Sequence, residues 1–220
     1  MIRGETMANH FINVLPYLYE GIKLTLLITI VGVAIGFVLG AFTGIARLSK
    51  NKLIYGIATV YIEVIRGTPI LVQILFIYFG LSDLFGINLD KITASIIAIA
   101  LNAGAYIAEI VRGGVQSINK GQREAGRSLG LTPTQTMRYI IWPQAFKRMI
   151  PPLGNQFIIS LKDTSLFSVI AVAEVLYQGR QYASTTFTYF EPYFMIGVMY
   201  LIITIPSMLL LRYIERRLDV

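Results

Sequence analysis

The residues best able to do chemistry in this chain are ionisable groups set inside long apolar runs: Glu63, Arg66, Glu109, Lys162 and Asp163. A charge at the centre of a membrane helix costs about 2.5–3.5 kcal/mol on insertion scales, so such groups mark ligand or ion contacts unless they neutralise one another. Helical spacing extends them into polar faces. Glu63, Arg66, Ile70 and Gln73 fall at i, i+3, i+7 and i+10; Asn102, Tyr106 and Glu109 fall at i, i+4 and i+7, and Gln156, Ser160 and Asp163 repeat that spacing. Lipid offers these faces no partners, so they are expected to meet around a common cavity.

Each group also has a plainer use. Glu63 and Arg66 stand one turn apart and can pair to hold a kinked helix, and Glu109 can pair with Arg112. Lys162 and Asp163 form an internal ion pair or, pointing about 100° apart on a helix, bind the two charges of a zwitterion. Thr164 and Ser165 directly follow them, and Tyr106 is the one aromatic side chain placed as a ligand contact.

The elements that must position these residues are membrane helices. Of 220 residues, 55% are hydrophobic and only 14% charged, where a soluble domain carries roughly a quarter. A span needs about 20 apolar residues, so the whole chain, 1–220, reads as one all-α integral membrane domain of five transmembrane helices. They fall at about 24–46, 54–79, 92–111, 149–170 and 193–211. Gly32, Gly36, Gly40 and Gly44 recur every fourth residue in the first span, a stripe that lets another helix approach closely. Pro69 should kink the second span, and Pro143, Pro151 and Pro152 should break the approach to the fourth. Residues 174–191 are expected to carry a short helix on the far face. Residues 1–20 lack the pattern of a cleaved signal peptide, and His10 reads as an ordinary surface residue.

The net charge of +7 does not point to nucleic acid, because the basic residues cluster in short connections. Arg47 to Lys52, Arg112 to Arg148 and Arg212 to Arg217 must share one side, and the positive-inside bias makes it cytoplasmic. The N-terminus is then outside and the C-terminus inside. Rising 1.5 Å per residue from that side, Glu63, Arg66 and Asp163 come out roughly 15–22 Å deep, with Glu109 nearer the cytoplasm.

Between the third and fourth spans lies Glu124-Ala125-Gly126-Arg127-Ser128-Leu129-Gly130, followed after nine residues by Ile140-x-Trp142-Pro143. This spacing resembles the cytoplasmic loop of bacterial ABC importer permeases, which usually reads Glu-Ala-Ala, three residues, Gly, nine residues, Ile-x-Leu-Pro. Here Gly126 replaces the second Ala and Trp142 the Leu. Arg66-Gly67-Thr68-Pro69 with Gln73, and Leu161-Lys162-Asp163-Thr164-Ser165-Leu166, resemble motifs of the polar amino-acid branch, which takes histidine, glutamine and arginine. The resemblance implies a short cytoplasmic coupling helix, about 121–130, in which Glu124, Ala125, Gly126, Arg127 and Gly130 engage an ATPase subunit. It also implies a homodimer or a pair of similar permeases, a dimer of ATPase subunits that carry the ATP and magnesium, and an extracytoplasmic substrate-binding protein.

Catalysis within the chain is not expected. It has no G-x-x-x-x-G-K-[ST] loop, no H-E-x-x-H, no cysteine and one histidine, so it needs no cofactor or metal of its own. The expected function is the translocation subunit of an ATP-driven importer in the bacterial inner membrane, working by alternating access. Lys162 or Arg66 would take the substrate carboxylate and Asp163 its amine, with Thr164, Ser165, Gln73, Asn102 and Tyr106 nearby. The spare acids Glu63 and Glu109 would suit a cationic side chain such as arginine, lysine or histidine. The alternatives are an importer for uncharged polar amino acids such as glutamine, and an ion-coupled secondary transporter.

Overall fold

The computed structural model describes residues 7–218. In chain order the helices are α1 (Met7–Asn13), α2 (Leu15–Ala46), α3 (Lys52–Arg66), α4 (Ile70–Leu75), α5 (Leu81–Phe85), α6 (Lys91–Gln116), α7 (Lys120–Ser128), α8 (Pro133–Thr136), α9 (Trp142–Asp163), α10 (Val175–Thr186) and α11 (Phe190–Leu218). A π turn (Phe76–Gly80) joins α4 to α5, another (Met137–Ile141) joins α8 to α9, and a 3₁₀ helix (Thr164–Ile170) extends α9.

The α2–α6 pair is the spine, and the glycine stripe builds it. A β-carbon on Gly36, Gly40 or Gly44 would lie 2.9, 2.6 or 2.7 Å from the carbonyl oxygens of Ala100, Gly104 and Ala108, which step along α6 by four residues as the glycines do. The two backbones therefore touch, as the spacing predicts. Around this spine, Ile74, Ile77, Ala98, Ile99 and Phe167 pack at the N-terminal half of α6, and Val111, Val115, Ile141, Ala145 and Met149 at its C-terminal half.

Three helical stretches among the described residues are long and apolar enough to cross a membrane: Asn9–Ala46, Lys91–Gln116 and Phe190–Leu218. The expected second span is not a kinked helix but two, Lys52–Arg66 and Ile70–Phe85, bent by 101°. Pro69 cannot donate to the preceding turn, and its extended backbone (ψ 138°) sends the chain off in a new direction. The expected fourth span is the reverse case. Pro151 and Pro152 lie inside the continuous helix α9, and Pro143 directly follows the π turn Met137–Ile141. With Lys147, Arg148, Lys162 and Asp163 along it, α9 does not qualify as a span by composition.

The N-terminal region departs from expectation as well. Helix α2 starts at Leu15, before the apolar run at 24, because Val14 and Leu18 are buried against Val175, Tyr182, Ile196 and Met199. His10 is buried too, its Nδ1 3.0 Å from the Tyr182 hydroxyl, rather than on the surface. Both placements depend on contacts more than 150 residues away in sequence. The expected short helix within 174–191 is α10.

Candidate functional site

The break between α3 and α4 leaves carbonyls without helical partners, and Gln73 takes them up. Its Nε2 donates to the Ile65 carbonyl (2.7 Å) and the Thr68 carbonyl (3.0 Å), while the Thr68 hydroxyl donates to Val64 (2.9 Å). Asn102 Nδ2 then donates to Gln73 Oε1 at 3.1 Å, pinning the elbow to α6. Both amides are buried. Gln73 and Asn102 are expected as ligand contacts, yet the Gln73 amide nitrogen is taken by Ile65 and Thr68 and its oxygen by Asn102.

Below the elbow lies an ion cluster with Glu109 at its centre. Arg112 donates to its carboxylate through Nε (3.0 Å) and Nη2 (2.8 Å), Arg47 approaches at 3.4 Å and Arg66 at 3.6 Å. Glu63 reaches Arg47 at 3.7 Å, and the Thr59 hydroxyl accepts from Arg47 Nη1. Arg66 also lies over the Tyr106 ring, 5.3 Å from its centroid. Glu109 thus pairs with Arg112, one of the uses open to it, but Glu63 and Arg66 choose separate partners rather than each other. Glu63 meets Arg47, at the end of α2, and Arg66 meets Glu109 of α6, so the polar face of α3 lies against both helices. Arg47 was missed as a member. As the first basic residue after an apolar run it carries only a topology signal, yet its side chain is 10% exposed.

The third polar face stays apart. Gln156 Nε2 donates to Ser160 Oγ (3.3 Å), and both are buried. No hydrogen bond or ion pair among the described residues joins this face to Glu109 or Gln73, so polar bonds link two of the three faces expected around a common cavity. Beyond Ser160, where α9 tightens into the 3₁₀ helix, Thr164 Oγ1 donates to Leu161 and Ser165 Oγ to Lys162. Lys162 is exposed, Asp163 half-buried, and no ion pair among the described residues involves either. These two remain opposite charges without internal partners.

Sequence inspection gave no hint of Glu174. It is fully buried at the start of α10, where its carboxylate accepts from the amides of Leu176 (2.8 Å) and Tyr177 (2.7 Å) and from the Tyr200 hydroxyl (2.9 Å). Burial outweighs these bonds and pushes its pKa up to about 7.

The segment Glu124–Gly130 forms most of α7 and its end. Asn119 Oδ1 caps the first turn, and Gly130 (φ 77°) closes the last with Leu131 N–H donating to the Gly126 carbonyl and Gly130 N–H to that of Arg127. Only a residue at ease in the left-handed region completes this closure without strain, which explains Gly130. Thr132 and Gln135 then form a capping box that starts α8 immediately. Gly126 is the one buried residue of α7; a β-carbon there would lie 2.7 Å from Thr136 Cγ2. Glu124, Ala125 and Arg127 are exposed. The result is a short polar helix, fixed at both ends, that offers its outer side to whatever lies beyond.

The family model described as "Binding-protein-dependent transport system inner membrane component" matches residues 13–220. The chain is 50% identical over 207 residues to the glutamine transport system permease protein GlnP of Escherichia coli (strain K12), covering 94% of each chain. It is 34% identical to the arginine transport system permease protein ArtQ of Bacillus subtilis (strain 168), covering 93% of each. A solved structure, "Crystal structure of an amino acid ABC transporter with histidines", superposes with a TM-score of 0.90 at 45% identity, covering 94% of this chain and 96% of that one.

Proposed function

The chain belongs to the family of inner membrane components of binding-protein-dependent transport systems, and on that premise we propose that it is the translocation subunit of an ATP-driven importer of polar amino acids. In this reading α7 is the coupling helix. ATP-driven closure of a partner ATPase dimer pushes on its exposed side, and the α6–α7–α8–α9 connection carries that push to the membrane helices. The observation that carries the reading is the build of α7: a helix stopped at Gly130, seated through Gly126 on Thr136, and followed at once by a capped second helix, transmits force instead of flexing. The assembly comprises two permease subunits, taken as a homodimer, two ATPase subunits and an extracytoplasmic binding protein. Each permease crosses the membrane five times, with α3–α5 and α9 as its broken and polar spans, the N-terminus outside and the C-terminus in the cytoplasm. Family membership leaves no need for the ion-coupled alternative.

For the substrate, the geometry supports a zwitterion with an uncharged polar side chain. Among the described residues Lys162 and Asp163 join no ion pair, while Glu109 and Glu63, the acids a cationic side chain would need, already face arginines. The 50% identity to a glutamine permease points the same way. A cationic substrate is the second reading, favoured by the arginine relative and by Asp163 as an acid still available. Gln73, Asn102, Tyr106, Arg66, Thr164 and Ser165 act in either case as the surrounding frame. The test is ATP-driven uptake of labelled glutamine, arginine and histidine into liposomes holding the full complex, with Asp163→Asn and Glu124→Ala beside the native chain. Glutamine uptake lost in both variants, with ATP hydrolysis surviving in Glu124→Ala, is expected. Arginine uptake without glutamine uptake would overturn the substrate assignment, and unchanged coupling in Glu124→Ala the role of α7.

A further inference from the structure

One concavity contains none of the site residues above. It is a groove of about 450 Å³ between α2 and α3 with α6 as its floor, and Leu39, Phe42, Ile54 and Ile57 are among its walls. Its two hydroxyls are already used: Thr43 Oγ1 donates to the Leu39 carbonyl and the Tyr61 hydroxyl to the Leu101 carbonyl, each at 2.7 Å. The groove therefore presents almost pure hydrocarbon surface, and a hydrophilic amino acid gains nothing there. From Leu39 to Ala46 it follows α2 for about 10 Å at about 1.5 Å per residue.

What closes its end is chemically different. The turn joining the two walls, residues 47–51, and the first residue of α3 carry Arg47, Lys50 and Lys52. Arg47 is committed inward to Glu109, Glu63 and Thr59. Lys50 and Lys52 are exposed and make no ion pair among the described residues. A dry slot that ends in two unneutralised ammonium groups calls for a ligand with a hydrocarbon tail and an anionic head. A second copy of this chain fits less well. A two-fold interface centred on the groove brings the same surface of each copy together, setting one Lys50–Lys52 turn against another at equal height.

We propose that the groove between α2 and α3 binds an anionic phospholipid, one acyl chain lying along Leu39, Phe42 and Ile57 and the phosphate held by Lys50 and Lys52. Bound there, the lipid fills the space between α2 and the elbow-forming helix α3 and braces both against the Glu109 cluster beneath.

The experiment is photocrosslinking in lipid nanodiscs with the permease assembled with its ATPase, using phosphatidylglycerol or phosphatidylcholine that carries a diazirine on one acyl chain. Labelled residues are mapped by mass spectrometry, with α11 as an internal reference for ordinary lipid contact. The expected result is labelling within residues 39–46 and 54–61 that is about tenfold stronger for phosphatidylglycerol, given two lysines near the headgroup. The Lys50→Ala/Lys52→Ala double variant should fall to the phosphatidylcholine level, and Ala46→Phe, which narrows the groove, should lose labelling by both lipids while α11 is labelled as before. Equal labelling by the two lipids in the native chain would reduce the site to ordinary boundary lipid and overturn the proposal. So would an unlabelled groove beside a labelled α11, including the case in which Phe42→Cys copies crosslink to each other and a second subunit occupies the slot.

Discussion

Gly126 gives the sharpest test of how α7 is seated. The usual loop of this family has Ala at that position, yet here a β-carbon would lie 2.7 Å from Thr136 Cγ2, 2.9 Å from Thr136 Oγ1 and 3.0 Å from Ile140 Cδ1. Ordinary contact begins near 3.4 Å, so Gly126→Ala overlaps Thr136 by about 0.7 Å. Overpacking of this kind costs about 1–3 kcal/mol, against which the better helix propensity of Ala returns about 1 kcal/mol. The net effect is a loss of about 1 kcal/mol and a tilted α7. Thr136 is itself a poor fit, since its Oγ1 is buried and has no hydrogen-bond partner among the described residues. Thr136→Ala removes both clashing atoms and an unsatisfied hydroxyl, so that variant should be neutral or mildly stabilising. In its background Gly126→Ala should turn from harmful to stabilising by about 1 kcal/mol. The four proteins form a double-mutant cycle, read by thermal unfolding of the purified permease and by uptake per ATP hydrolysed with the ATPase present. A coupling energy of about 1–3 kcal/mol is expected. Additivity within about 0.5 kcal/mol would refute the claim that Gly126 is required by Thr136.

Gly40→Ala should lower the melting temperature through its 2.6 Å approach to the Gly104 carbonyl, at a cost of about 2 kcal/mol, whereas Gly56→Ala, with nothing within 4 Å, should not; equal effects would deny the α2–α6 contact. Glu109→Gln leaves the nearly buried Arg47 facing only Glu63 and should cost about 3 kcal/mol in thermal unfolding, while an unchanged melting point would mean that the cluster contributes nothing. Glu174 titrates near 7 in the fold and near 4.5 in the unfolded chain, so the folded state binds the extra proton; stability should fall as pH rises from about 4.5 to about 7 and then level off. Glu174→Gln should flatten that dependence, and an identical pH profile in the variant would remove Glu174 as its source.

The amino-acid sequence by itself determined the membrane class, the close-packing glycine stripe of α2 and the position of α7, while the fold decided that the helix packed on that stripe is α6. Each is a local or periodic signal: apolar length, a four-residue repeat of the smallest side chain, and a charged segment between apolar runs. It also singled out Glu63, Arg66 and Glu109, three members of the ion cluster, because a charge in an apolar run is conspicuous wherever the helix goes. Only the tertiary structure decided their company. Glu63 and Arg66, one turn apart, join Arg47 and Glu109 instead of each other, because α3 packs its polar face against the end of α2 and against α6. The 101° elbow at Pro69 turns Gln73 from a ligand candidate into the group that satisfies broken-helix carbonyls. His10 and Glu174 give no periodic signal, and their burial comes from contacts with Tyr182 and Tyr200. Periodicity records which way a side chain points on its own helix; which helix it meets is set by the angles at the breaks, and those angles are held by contacts distant in the chain.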